Sequence, residues 1–221
     1  MSFSIQWDEQ YQDNQHMSIW PWSNLVSLAM RMTDLKKGHD DFSVMEVGCG
    51  AGANIPFFAA YTKTIYALEG SEFIVSKLKE RFPQIADNIM AGDFTKEWPV
   101  DNKFDLIVDR GASTHNTTSA LKEYLAQVQK HLKPEGIVII TDWFSTEHAC
   151  YSYGESTEDK YTKTNYVDGP FANLGNVHYF DKEQIMELTQ DFELLHLDHL
   201  TSQVEGEPGP SACWNLVLKN R

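Results

Sequence analysis

Apolar residues fall along this chain in two alternating kinds of run. Short compact runs recur at Ser43–Val47, Lys63–Leu68, Asn88–Ala91, Phe104–Asp109 and Ile137–Thr141. Their length and aliphatic content predict buried strands. Between them apolar positions return at helical spacing. Ser23–Lys36 places Leu25, Leu28, Ala29 and Met32 on one face, and Thr118–His131 does the same with Leu121, Leu125 and Val128, a stripe that Leu132 extends. Two shorter helices are predicted, one from Ile55 to Tyr61 with Pro56 in its first turn, one from Ser71 to Phe82 before Pro83. Ser23 and Ser71 are suitable N-caps, and Gly38 ends the first helix.

The alternation predicts an α/β fold: a Rossmann-like, doubly wound and mostly parallel sheet. Beyond it, Asp181 caps a helix to Gln190. Phe192–Leu200 and Ala212–Lys219 flank the turn Gly206-Glu207-Pro208-Gly209-Pro210, which predicts a C-terminal antiparallel hairpin and brings the strand count to seven. Two stretches break the pattern. Residues 1–22 hold Trp7, Tyr11, Trp20 and Trp22 with no clean period, and residues 143–180 are rich in aromatics and glycine. The first reads as an arm packing on the core or capping a pocket. The second is too long for an ordinary connection and reads as a substrate lid rather than a disordered loop.

At 221 residues the chain is expected to form one domain, with residues 1–40 as N-terminal cap and helix and 143–180 as the lid insert. A formal net charge of −14 argues against a broad phosphate-binding face and so against nucleic acid. The start has no basic and apolar leader, no run reaches the length of a membrane span, and a cytoplasmic location is expected. Cys49, Cys150 and Cys213 are too widely spaced to suggest a metal cluster or a disulfide framework. No metal is therefore expected. Cys49 lies in a glycine turn that needs small side chains, which is the simpler reading of it than a nucleophile.

The chemistry concentrates in Glu46-Val47-Gly48-Cys49-Gly50-Ala51-Gly52-Ala53. A strand, a glycine-rich turn and a helix start let a backbone approach a ligand with the helix N-terminus pointing at it. Gly48, Gly50 and Ala53 fit G-x-G-x-x-G/A, the dinucleotide fingerprint. Glu46, Gly48, Gly50 and Gly52 equally fit E-x-G-x-G-x-G. A tight turn without ligand would also use these glycines. Glu69 ends the second strand 17 residues beyond Gly52, near the roughly 20-residue offset at which an acidic residue accepts from a ribose.

The E-x-G-x-G-x-G turn, the strand-end acid Glu69, Gly92-Asp93-Phe94, Phe104-Asp105-Leu106-Ile107-Val108-Asp109 and Leu132-Lys133-Pro134-Glu135-Gly136, in that order, resemble the class I S-adenosylmethionine-dependent methyltransferases. The likeness covers residues 43–142 by motif and 180–220 by architecture. Trp7-Asp8-Glu9-Gln10-Tyr11 also looks like the openings of several small members, and Asp109-Arg110-Gly111-Ala112 occurs in some that act on small molecules.

The resemblance implies S-adenosylmethionine as cofactor and S-adenosylhomocysteine as its product. Glu46, Gly48, Gly50 and Gly52 would meet its amino-acid portion, and Glu69 with Gly70 its ribose. Asp93 and Phe94 would hold adenine, while Asp109 and Arg110 would border the methionine part and the methyl donor. His115, in the loop after the fourth strand, is placed to be a general base. Tyr11, Trp20, Trp143 and His178 are candidate acceptor contacts, with His148 a further polar group in the insert. A small-molecule acceptor, possibly a hydroxyl, is expected, and a monomer or homodimer. A nicotinamide-dependent oxidoreductase and a catalytically silent fold of the same architecture are the alternatives.

Overall fold

The structure, a computed structural model, describes residues 5–221. Helices α1 (Ile5–Gln12) and α2 (Ser23–Met32) precede strand β1 (Val44–Val47). Then follow α3 (Ile55–Ala59), β2 (Ile65–Glu69), α4 (Glu72–Arg81), β3 (Ile89–Ala91), β4 (Phe104–Arg110), α5 (Thr118–His131) and β5 (Leu132–Phe144). The insert carries β6 (Glu155–Ser156), β7 (Thr162–Thr164) and β8 (Val177–His178), and α6 (Lys182–Leu188), β9 (Phe192–Ser202) and β10 (Ser211–Asn220) complete the chain.

The main sheet has seven strands in the order β3-β2-β1-β4-β5-β10-β9. The first five are parallel, and β10 runs antiparallel to both β5 and β9. Period-two alternation along the strands divides the interior into two layers. Val44, Ile65, Leu106, Val108 and Ile139 face the helices α2, α3 and α4. Met45, Val47, Ile107, Val138 and Ile140 face the α5 and α6 side. The expected architecture is thus present, with the hairpin strand β10 seated between β5 and β9.

Three local features differ from the sequence expectation. The arm contains α1, held by tertiary contacts rather than by periodicity: Asp8 accepts from Ser71 Oγ at the start of α4, and Tyr11 is buried against the glycine turn. Strand β5 starts at Leu132, directly out of α5, because Leu132 pairs with Phe104; the expected Lys-Pro-Glu-Gly turn survives as a bulge with Glu135 at φ 64°. At its far end β5 runs past Thr141 to Phe144. Asp142, at φ 61°, forms a second irregularity opposite Asn215, whose Oδ1 accepts from the Asp142 amide at 3.1 Å. Among the described residues, no helix is long and apolar enough to cross a membrane.

Residues 149–180 are ordered around the three-stranded sheet β6-β7-β8 and a small core of their own containing Cys150, Tyr166, Leu174, Val177 and Tyr179. The Tyr166 and Tyr179 hydroxyls bond at 2.7 Å within it.

Candidate active site

The crevice outside the carboxyl ends of β1, β2, β3, β4 and β5 holds a cavity of about 390 Å³, the position where ligands bind in open α/β sheets. Its floor comes from Glu46, Glu69, Asp93, Arg110 and Asp142 at those strand ends. Trp7, Tyr11 and Trp22 wall it from the N-terminal segments, and Phe144, Phe171 and Leu174 from β5 and the insert.

The glycine turn owes its three glycines to three different neighbours. All have positive φ, at 59°, 50° and 76°. A Cβ on Gly48 would lie 2.2 Å from the Ala112 Cβ, so this glycine lets the turn pack on the loop after β4. A Cβ on Gly52 would meet Leu78 and Phe82 at 2.7 and 2.9 Å. Gly52 therefore serves helix packing and does not line the cavity, which corrects its assignment to the cofactor. Gly50 faces the cavity, with the Tyr11 hydroxyl 3.3 Å from a Cβ position. Arg81 Nη1 donates to the Ala51 carbonyl at 2.9 Å and ties the turn to α4.

Glu69 is buried and accepts from the Gly50 amide at 2.9 Å on one oxygen and from the Ser71 amide at 3.1 Å on the other. Burial raises its pKa, opposed by these amides and that of Gly70. A carboxylate has about four acceptor sites, so acceptor capacity remains for a ligand hydroxyl.

Glu46 is more exposed to electrostatic cost. Its Oε1 accepts from Asn54 Nδ2 at 2.8 Å, and Asn54 Oδ1 in turn accepts from the Trp22 amide at 3.1 Å. Its Oε2 is buried and has no hydrogen-bond partner. Burial pushes its pKa up to about 7, relieved by Asn54 and reinforced by Glu69 and Asp109. An orphaned carboxylate oxygen on a cavity wall is satisfied by a ligand that brings a cation or an N–H.

Folding raises the Glu46 pKa above its ordinary value of 4.5, so the folded form holds the proton more tightly. The unliganded protein therefore loses stability as pH rises from 4.5 through about 7, by on the order of 3 kcal/mol. Glu46→Gln is expected to raise the melting temperature relative to wild type at pH 8, with no gain at pH 4. Equal shifts at both values would sink that account.

The fourth strand ends in two residues with different tasks. Asp109 is fully buried, accepts from the Ala112 and Ser113 amides at 2.9 and 3.3 Å, and bonds Ser113 Oγ. It shapes the loop 110–116 and does not line the cavity, a correction to its expected place beside the methyl donor. Arg110 does line it. Its Nε lies 2.8 Å from Asp142 Oδ2, an ion pair not aligned as a hydrogen bond, and its guanidinium carbon sits 3.4 Å from the Trp22 ring centroid.

His115 lines the cavity, edge-on to Trp7 at 4.9 Å. Its Nδ1 is 3.0 Å from the Asn176 carbonyl, which can only accept, so Nδ1 carries the proton and Nε2 keeps its lone pair. Burial lowers its pKa to about 4, against the Asn176 bond and helped by His16 and Arg110. Cys49 also lines the cavity, but burial, Glu69 and Glu46 push its thiol well up, so it stays neutral and packs.

Three expected acceptor contacts lie elsewhere. Trp143 is fully buried, stacked on Phe180 at 4.0 Å, with its Nε1 donating to Ser113 Oγ at 2.7 Å. The strand pleat turns it into the core, while its neighbour Phe144 reaches the cavity. His178 is buried between Thr162 Oγ1 at 2.9 Å and Gln184 Oε1 at 3.2 Å, and braces the insert. Trp20 is 76% exposed and outside the cavity. Tyr11, Gly48, Gly70, Asp93 and Phe94 do line it. Trp22, Asp142 and Phe171 also line the cavity without having been singled out, though Trp22 lies in the arm read as a cap, Phe171 in the insert read as a lid, and Asp142 at the end of a predicted strand.

The fold is that of the class I S-adenosylmethionine-dependent methyltransferases. Residues 44–136, less than half of the chain, match the model of the family described as the methyltransferase domain. The match favours E-x-G-x-G-x-G over the dinucleotide fingerprint as the reading of the glycine turn. The chain is 30% identical over 116 residues to protein-L-isoaspartate O-methyltransferase 1 of Nitrosospira multiformis, covering 51% of this chain and 46% of that protein. It is 27% identical over 107 residues to the dTDP-3-amino-3,4,6-trideoxy-alpha-D-glucopyranose N,N-dimethyltransferase of Streptomyces venezuelae, covering 48% and 44%. The matched stretch thus spans less than half the length of either relative. The structure of N-methyltransferase NodS from Bradyrhizobium japonicum with S-adenosyl-L-homocysteine superposes with a TM-score of 0.67 at 16% identity, over 98% of this chain and 99% of that one.

Proposed function

We propose that this protein transfers a methyl group from S-adenosylmethionine to a small-molecule acceptor. The observation that carries the cofactor is the pair of buried carboxylates around the glycine turn. Glu69 has spare acceptor sites for the ribose hydroxyls, and the orphaned Glu46 Oε2 suits the cationic methionine portion. Asp93 and Phe94 at the end of β3 border the space for the base. When bound, the cofactor supplies an activated methyl group on a sulfonium.

The chain's own residues then align and enclose. Orientation alone can contribute about 7–11 kcal/mol to such a transfer. Trp7, Phe144 and Phe171 exclude water around the acceptor. Where the acceptor is a hydroxyl, His115 Nε2 accepts its proton as the oxygen gains the methyl group. The aromatic-walled crevice and the net charge of −14 favour a small molecule over a nucleic acid.

The test is calorimetric titration with S-adenosylmethionine, S-adenosylhomocysteine and NAD in parallel. Binding of the two sulfur compounds and not of NAD is expected. Binding of NAD alone would restore the dinucleotide reading.

A further inference from the structure

Most charged groups of the cavity have a stated task in holding the cofactor or shaping the turn. Arg110, expected beside the methionine part and the methyl donor, is held in a way that suits a further task. Two contacts fix it without using the ends of its guanidinium. Nε faces Asp142 Oδ2 at 2.8 Å, the planar face lies on Trp22 at 3.4 Å, and no hydrogen bond among the described residues occupies Nη1 or Nη2.

Asp142 is itself fixed. Its Oδ1 accepts from Asn24 Nδ2 at 3.2 Å, and Asn215 Oδ1 accepts from its amide. Asn215 Nδ2 donates to Asp198 Oδ1 at 2.8 Å. The left-handed φ of Asp142 is thus held from α2, β10 and β9, and the carboxylate is aimed along the floor at Arg110 rather than into solvent. A guanidinium held by Nε and by one face, with both terminal nitrogens unspent, is arranged to receive a planar anion through two parallel hydrogen bonds.

The surroundings define the rest of that ligand. His115, Trp7, Phe144 and Phe171 line the same cavity. The Phe144 and Phe171 rings are 4.8 Å apart, and His115 is within 6.1 Å of Phe144. This wall is apolar and aromatic apart from the His115 ring. It offers a slot for a flat, apolar body between an anion receptor and a proton acceptor.

We propose that the methyl acceptor is an aromatic carboxylate bearing a hydroxyl, with its carboxylate on Arg110 and its ring against Trp7, Phe144 and Phe171. This rests on the proposed function. Asp142 acts as a positioning residue, holding the guanidinium so that its ends stay free.

Para-hydroxyphenylacetate and tyrosol, its uncharged alcohol counterpart, make a matched pair of probes for the protein saturated with S-adenosylhomocysteine. The acid is expected to bind at least about tenfold more tightly than the alcohol, as charge-assisted hydrogen bonds require. Arg110→Gln is expected to bring the acid down to the level of the alcohol, with a circular dichroism spectrum and melting temperature like those of the wild type showing that the variant is folded. Arg110→Lys keeps the charge but not the planar fork, and should recover part of the preference.

Equal binding of the two probes overturns the proposal, as does binding of neither. A loss of S-adenosylhomocysteine affinity in Arg110→Gln also overturns it, by assigning the guanidinium to the cofactor. Failure of the wild type to bind S-adenosylhomocysteine, seen before either probe is added, removes the functional reading itself and this inference with it.

Discussion

Glu69→Ala is expected to weaken binding of S-adenosylhomocysteine by about 100-fold or more. Two losses combine. The first is direct: a buried carboxylate with open acceptor capacity disappears, and hydrogen bonds to a charged group contribute about 1.5–3 kcal/mol each. The second is indirect. Glu69 accepts from Gly50 on one side and Ser71 on the other, so it clamps the glycine turn to the start of α4. Without it the Gly50 amide loses its partner and the turn its anchor. Glu69→Gln separates the two, because the amide oxygen can still accept one of these bonds while the charge is gone. An affinity for Glu69→Gln midway between wild type and Glu69→Ala is expected by calorimetry. Wild-type affinity in Glu69→Ala would remove this residue from the cofactor site.

His115→Ala is expected to lower turnover by roughly 10²–10⁴-fold on a hydroxyl acceptor, the usual range for a lost general base. Cofactor affinity should change little, since His115 stands on the acceptor side with its Nδ1 tied to Asn176. The pH dependence gives a second reading. With a pKa of about 4 the ring is neutral throughout the physiological range, and its Nε2 is ready to accept a proton. At saturating cofactor, where the bound cation keeps Glu46 ionised, the wild-type rate should therefore show no fall between pH 8 and 5.5, and should decline only as pH drops toward 4. A descending limb near 6.5 would mean that the ring is solvated and ordinary. Turnover unchanged in His115→Ala would end its catalytic role.

The parallel half of the fold was legible because β1, β2, β4 and their helices largely satisfy local rules: compact apolar runs, the Ser71 cap of α4 and its stop before Pro83. Helix α2 departs from them, beginning at Ser23 without a side-chain cap and ending at Met32, short of Gly38. The chain order of the strand-end acids then located the crevice. What was not legible depends on contacts distant in sequence. Helix α1 exists because Asp8 finds Ser71 and Tyr11 finds the glycine turn, neither of which a periodicity in residues 1–22 could announce. The same limit explains the acceptor contacts. Trp143 and Phe144 are adjacent aromatics on one strand, and only the pleat of β5 against β10 decides which one faces the core. His178 looked available in an aromatic insert, but the insert has its own interior and uses it there. Gly52 matched a motif whose third glycine serves α4 rather than the cavity.

The separate core of residues 149–180 bears on how such a protein changes over time. The sheet layers fix Glu46, Glu69 and Asp93, whereas the small cluster around Tyr166 and Tyr179 fixes Phe171 and Leu174. Because the two interiors share few side chains, selection can rework the acceptor wall without unsettling the cofactor floor. Acceptor preference in this scaffold is thus free to diverge among descendants faster than the chemistry itself.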